Sequence, residues 1–181
     1  MTTYPSAVEP FIVTFWRDAG DRAWFSHDPA FDERVRTQFL DKHAEASAGK
    51  LQHWLEQPRW SLGLVLLLDQ FPRNAFRGTP RMYATDELAR RTADAAIERG
   101  FDEQVDQKLR MFFYLPFEHS EDREDQARSV MLHEKCGFTE YARHHQQVVE
   151  RFGRFPHRNA ILGRPSTAEE LEFLKSGGFV G

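Results

Sequence analysis

Apolar residues recur at helical spacing along almost the whole chain, and the strict in-and-out alternation of a half-buried strand is nearly absent. "SAVE" (Ser6 to Glu9) has the form of a capping box and predicts a helix running to about Trp16, with Pro10 in its first turn. In "HDPAFDERVRTQFLDKHAEASAG", Asp28 reads as N-cap and Pro29 as the first helical residue. Phe31, Val35, Phe39 and Leu40 form the apolar stripe of that helix, which Gly49 ends. After Pro58, "RWSLGLVLLLDQF" is apolar on every side and predicts a helix buried all round; its length and its Leu content favour helix over a buried strand.

Four further segments complete the series. "TDELARRTADAAIERG" predicts a helix from the cap Thr85 to Gly100, followed by "DQKLRMFFYL" running into Pro116. "SEDREDQARSVMLHEKCG" predicts one from the cap Ser120, with acids in its first turn, to Gly137. "TEYARHHQQVVERF" and "STAEELEFLKSGG" predict the last two, the second with a capping box of Thr167 and Glu170. The expected class is therefore all-α, with about eight or nine helices in one domain spanning residues 1–181. Short loops and the absence of a linker or low-complexity tract make a degenerate helical repeat the natural architecture.

Composition narrows the functional classes. An apolar share of 40%, with sixteen Phe and four Trp, supplies a core. A net charge of −4 provides no general attraction to nucleic acid or to an anionic membrane, so any anion site must be local. The single Cys136 excludes an internal disulfide, reads as a small buried residue on a helix, and fits a reducing compartment. The N-terminus lacks a secretory pattern, and "LGLVLLL" is far shorter than the roughly 20 residues of a membrane span, so a cytoplasmic location is expected. No metal-ligand spacing joins His27, His43, His53, His119, His133 and His157, and no phosphate-binding glycine loop occurs, so neither metal nor cofactor is expected.

Two stretches echo one another: "FPRNAFRG" (Phe71 to Gly78) and "FPHRNAILG" (Phe155 to Gly163). Each Phe-Pro follows a predicted helix and reads first as a helix stop, with Arg and Asn satisfying freed carbonyls. The competing reading has Arg73, Asn74, Arg158 and Asn159 facing one pocket. Asp69 lies on the inward line of Leu62 and Val65 and needs a partner, with Arg73 the nearest and Arg154 or Arg158 the alternatives.

From Arg143 to Arg164, five arginines face the one acid Glu150, an excess of about +4, which suits a carboxylate or phosphate. His145 falls on the apolar face of its helix, between Tyr141, Val148 and Phe152, where it could meet Glu118 or Glu121 as a carboxylate–imidazole pair. In "PFEHSE" a Ser-His-acid triad is disfavoured, because adjacent residues seldom face one another and Ser120 reads as a cap.

Taken together, "LLLDQFPRNAFRG", "YATDELAR", "FFYLPFEHSEDREDQ" and "RFGRFPHRNAILGRPSTAEELEFL" resemble a bacterial family of uncharacterised proteins, domain of unknown function nine-two-four. The resemblance implies an all-α, tetratricopeptide-like superhelical fold and no established activity. Its recurring polar positions fall here on Asp69, Gln70, Arg73, Asn74, Glu118, His119, Ser120, Glu121, His145, Arg154, His157, Arg158 and Asn159. Where the family's opening reads Phe-Trp-Phe-Gly, this chain has "FWRDAG".

Two functional expectations follow. In the first, the chain is a binding module that holds an anionic small molecule or peptide carboxylate through Arg73, Asn74, Arg154, His157, Arg158 and Asn159. In the second, it is a hydrolase-type enzyme with His145 or His119 as general base and Glu118 or Asp69 orienting it. A scaffold whose motifs are only helix-terminating clamps is the remaining alternative.

Overall fold

A computed structural model describes residues 10–178, and among them the structure is all-α with no strand. The Ser6 capping box lies outside the described residues. The chain divides into two compact units, one of the residues up to Arg77 with Arg81–Pro116, the other of Gly78–Pro80 and the residues from Phe117 onward.

The first unit is organised around one buried helix. Its helices are α1 (Phe11–Ala19), α2 (Asp21–Trp24), α3 (Pro29–Ser47), α4 (Pro58–Leu68), α5 (Gln70–Ala75) and α6 (Asp86–Glu98). Every residue of α4 from Ser61 to Leu68 is buried, because α1, α3, α5, α6 and the 3₁₀ turns Gln52–Glu56 and Arg110–Phe113 all pack on it. An all-round apolar helix is stable in water only when sheathed in this way. On α3 the inward stripe is Phe31, Val35, Phe39, His43 and Ala46, while Leu40 is 41% exposed. The segment running into Pro116 contains the 3₁₀ turn Arg110–Phe113, and α7 (Leu115–Glu118) begins just beyond it with Pro116 inside it. Pro116 is tolerated because a first-turn N–H has no intrahelical partner to lose.

The first Phe-Pro is not a simple stop. α4 ends at Leu68 and α5 restarts at Gln70, with Pro72 in its first turn. Pro72 has no N–H and its ring excludes the carbonyl four residues back, so the ladder fails near Leu68. Side chains take the freed carbonyls. His43 Nδ1–H donates to Leu67 O at 2.9 Å, Thr85 Oγ1–H to Leu68 O at 2.5 Å, and Arg73 Nη1 to Asp69 O at 2.9 Å. Thr85 therefore caps the end of α4 with its hydroxyl, while at the start of α6 it makes no side-chain cap bond.

The second unit contains α8 (Arg123–His133), α9 (Thr139–Phe152) and α10 (Ala168–Lys175). α8 and α9 pack as a helix–turn–helix pair, and Val148, Val149 and Phe155 form a small core with Phe152 and Phe173 against it. Asp122, not Ser120, caps α8 by accepting from the N–H groups of Glu124 and Asp125. A carboxylate there also complements the helix dipole. Cys136 sits in the turn beyond α8 and is only half-buried. At Thr167, hydroxyl and Glu170 carboxylate form the expected capping box of α10.

One glycine of α4 is a packing requirement. A Cβ on Gly63 would stand 2.8 Å from Cγ of Pro10 and 3.2 Å from the Trp54 ring, neither of which can swing away. Alanine gains about 1 kcal/mol of helix propensity, whereas overpacking costs about 1–3 kcal/mol. Gly63→Ala is expected to lower the thermal midpoint by several degrees in a calorimetric scan; an unchanged or higher midpoint would contradict this packing.

Candidate functional site

Each echoed turn uses its Asn in the same way. In the first unit, Asn74 Nδ2 donates to Asp32 Oδ1 at 2.7 Å, and Arg77 grips the same carboxylate with two bonds of 2.7 and 3.0 Å. In the second, Asn159 Nδ2 donates to Glu170 Oε2 at 3.2 Å, and Arg154 grips that carboxylate with bonds of 2.6 and 2.8 Å. An Asn and an Arg fork around one carboxylate is a strong local clamp, since the planar guanidinium matches both oxygens. The echo is therefore a repeated anchoring device within each unit.

The remaining arginines are also engaged. Arg73 makes a two-bond pair with Asp86 at 2.7 and 3.0 Å and lies 3.2 Å from the fully buried Asp69. Gln70 Nε2 completes that group by donating to Asp69 Oδ2 at 2.7 Å. Arg164 binds Glu121 with bonds of 2.7 and 2.9 Å and donates through Nε to Asn159 Oδ1. Glu121 Oε1 also accepts from the Phe155 N–H at 2.8 Å, which fixes the start of the second turn. Burial would push the Glu121 carboxyl up, but the Arg164 and Phe155 hydrogen bonds outweigh it and hold it below the usual range. At Glu170 the Arg154 bonds bring the carboxyl down to about 2.

The chemistry-bearing group of the second unit centres on Glu118, at the end of α7. His133 of α8 and His145 of α9 flank its buried carboxyl: His133 Nε2 lies 3.5 Å from Oε2, and His145 Nδ1 lies 3.5 Å from Oε1. Each imidazole is oriented by its own helix, His133 Nδ1 on Ser129 O and His145 Nδ1 on Tyr141 O, both at 2.9 Å. A carbonyl only accepts, so both rings carry their proton on Nδ1. The hydrogen bond to its helix carbonyl favours the imidazolium form of each ring, whereas burial favours the neutral one. Burial wins, bringing His133 down to about 4 and His145 to about 3.

His119 and the second turn adjoin this group. His119 acts electrostatically on His133, His145 and His157, and the Arg158 charge acts on His145, His157 and Glu121. The buried Arg158 guanidinium stands 4.5 Å over the Phe155 ring, and that ring and His145 form a T-shaped pair at a centroid distance of 5.7 Å. His157 is brought down to about 3, first by burial and then by Arg158. Tyr141, expected inward, is 68% exposed; Ala142, His145, Val148 and Val149 make the inner face of α9.

Of the candidate residues, Glu118, His119, His145, His157 and Arg158 belong to this group. Arg154 and Asn159 belong to the Glu170 clamp beside it in sequence, and Asp69, Arg73 and Asn74 to the clamps of the first unit. Two open clefts of the first unit are lined by residues of α1 and α2 with Arg34, Ser26 and Asp28, and by none of the candidates. No cluster of three or more His, Cys, Asp or Glu able to hold a metal occurs among the described residues.

Two residues escaped the sequence reading. His133 and Gln126 sit with Ser129 on one inward stripe of α8, at spacings of three and four, and all are fully buried. Gln126 Nε2 donates to Glu118 O at 2.7 Å and to Ser120 O at 2.6 Å, pinning the backbone that carries Glu118 and His119. Ser120 hydrogen-bonds Asp125 rather than capping the helix. The available signal was that stripe of polar residues at helical spacing, but it reads equally well as a solvated face.

The depressed imidazoles set an acid limit on stability. His133, His145 and His157 stay neutral in the fold down to about 4 and 3, whereas in the unfolded chain they protonate near 6.5. As pH falls from about 6.5 to about 4, the unfolded chain binds protons that the fold does not, so stability declines. Urea midpoints are expected to fall steadily across this window, and less steeply in His133→Gln; a flat profile would contradict the neutral assignments.

Among solved structures, a protein of unknown function from Agrobacterium tumefaciens superposes with a TM-score of 0.91 at 52% identity, covering 92% of this chain and 96% of its own. No curated protein matches the chain. The family model described as bacterial protein of unknown function (DUF924) matches residues 12–178. With nearly its whole length matched, the buried helix α4 and both Phe-Pro turns included, the chain belongs to the DUF924 family.

Proposed function

We propose that the second unit is a binding module for a small anion, a metabolite carboxylate or phosphate or the carboxylate of a peptide, held by Arg158 and His157. The observation that carries this reading is the gathering, in one unit, of an aromatic-backed guanidinium with three imidazoles and the Glu118 carboxyl. The Arg158 guanidinium fork and a His157 N–H supply directed donors for an anion's oxygens, whereas the single N–H groups of neutral His133 and His145 are spent on helix carbonyls. Arg154 and Asn159 act as the frame, through Glu170, and Arg73 and Asn74 as anchors of the first unit. A cytoplasmic, reducing setting suits the single half-buried Cys136. A tetratricopeptide-like arrangement suits the α8–α9 pair.

A hydrolase-type reading has one observation in its favour. Glu118 stands at the Nδ1 side of His145, leaving Nε2 as the lone-pair nitrogen, the arrangement a general base needs. Against it stands base strength. An imidazole brought down to about 3 is a weak proton acceptor at neutral pH, whereas acid–base catalysis works best near the operating pH. Binding is therefore the stronger reading.

The test is a thermal-shift and calorimetric titration of the full chain with inorganic phosphate, citrate and a short peptide bearing a free C-terminal carboxylate. A ligand at a hundred times its Kd adds about 2.7 kcal/mol, roughly 5–10 °C for a chain of this size. At least one anion should bind the wild type and bind Arg158→Lys and His157→Gln at least tenfold more weakly. Failure of every anion, or equal binding by both variants, would overturn the reading.

A further inference from the structure

One stripe of α1 turns aromatic rings toward solvent. Phe11, Thr14, Phe15 and Asp18 follow one another at spacings of three and four, so they share one side of the helix. Phe11 is 62% exposed and Phe15 half-buried, whereas the water-facing side of a helix is ordinarily polar. Together with Ala19, and with Arg34 of α3, this stripe lines a cleft of about 360 Å³ among the described residues. Ligand pockets run from roughly 300 to 1,000 Å³, so the cleft suits a small molecule and not a long peptide.

The cleft carries two opposite charges that do not meet. Arg34 makes no hydrogen bond or ion pair among the described residues, and its acidic neighbour Glu33 is taken by Arg36 and Thr37. The Arg34 guanidinium carbon lies instead 5.9 Å from the centroid of Phe15 and 5.5 Å from that of Phe31, two rings stacked at 5.7 Å. Cation–π attraction steadies the guanidinium there and leaves its N–H groups to donate elsewhere. Asp18 has a loose contact with its neighbour Arg17, 3.6 Å between side chains 69% and 41% exposed. Such a surface pair is worth little in water and leaves the carboxylate available. Asp18 also stands in the last turn of α1, where the helix dipole disfavours an acid and favours a cation, so helix stability does not account for it. Asp18 and Arg34 thus line one aromatic-walled cleft while standing farther apart than the ~4 Å of an ion pair.

We propose that this cleft binds a free α-amino acid with an apolar side chain. The ligand carboxylate takes the Arg34 fork, whose planar geometry matches two carboxylate oxygens. The ammonium takes Asp18 and the negative end of the α1 dipole, and the side chain covers the Phe11 and Phe15 rings. A simple anion would meet the repulsion of Asp18 and a simple cation that of Arg34, whereas a zwitterion is matched by both. The site lies wholly within the first unit and is independent of the anion-binding reading of the second.

Calorimetric titration of the full-length protein with L-phenylalanine and L-leucine tests this, beside two analogues that each keep one charge. These are 3-phenylpropionate, which lacks the ammonium, and phenethylamine, which lacks the carboxylate. At least one of the two amino acids should bind, and each analogue should bind at least tenfold more weakly than L-phenylalanine. Arg34→Gln and Asp18→Asn should each weaken the amino acid at least tenfold. Both variants should keep the wild-type thermal midpoint within about two degrees, since the side chains they replace are exposed. Arg158→Lys should bind the amino acid as the wild type does. Absence of binding by both amino acids at millimolar concentration, equal binding by Arg34→Gln, or 3-phenylpropionate as tight as L-phenylalanine would each overturn the proposal. A loss of amino-acid binding in Arg158→Lys with none in Arg34→Gln would place the ligand in the second unit and overturn it as well.

Discussion

A carboxylate removed from water must keep its hydrogen-bond partners or lose its charge, and this constraint governs the second unit and much of the first. Asp69, Asp102, Glu118 and Glu170 are all buried to 4% exposure or less. Three meet the requirement with donors: Gln70 and Arg73 for Asp69, the Tyr114 hydroxyl for Asp102, and Arg154, Asn159 and the Thr167 N–H for Glu170. Glu118 alone is matched by two imidazoles, groups that can change charge. That difference in partner chemistry sets the Glu118 group apart from the anchoring clamps.

The clamps explain how short, irregular connections stay ordered between helices. At the first Phe-Pro the broken ladder of α4 is closed by His43, Thr85 and Arg73 instead of by water. At the second, Glu121, Arg164 and Glu170 hold both sides of the turn by backbone as well as side-chain bonds. Such networks are cooperative, and removing one partner strands the rest. They give the turn that bears His157 and Arg158 a fixed geometry, as a preorganised binding site requires.

Much of the fold was legible in the sequence, because it rests on patterns with a strong local cause. Asp28 with Pro29, the all-apolar run before Asp69, and Thr167 with Glu170 each name an element and its boundary. The α4–α5 break was less legible, since it depends on which distant side chains reach three freed carbonyls. Ser120 and Asp122 compete for the same cap, and only the backbone direction at Asp122 decides between them. The candidate site was legible in Glu118, His119, His145, His157 and Arg158, but not in His133 or Gln126, while the other candidate arginines, Arg73 and Arg154, went to clamps. A polar stripe on a helix looks solvated until the neighbour that buries it is known, here the α7 end and α9.

If the Glu118 group exists for its chemistry, stability does not require its polarity, because a buried polar cluster can be exchanged for apolar residues of similar size at little cost. The most direct test is the urea-unfolding free energy of a triple variant, Glu118→Leu with His133→Leu and His145→Phe, measured at pH 7 against the wild type. The account predicts stability equal to or above the wild type together with loss of anion binding. A loss of several kcal/mol, of the size expected when a needed buried network is broken, would contradict it and make the group one more structural clamp.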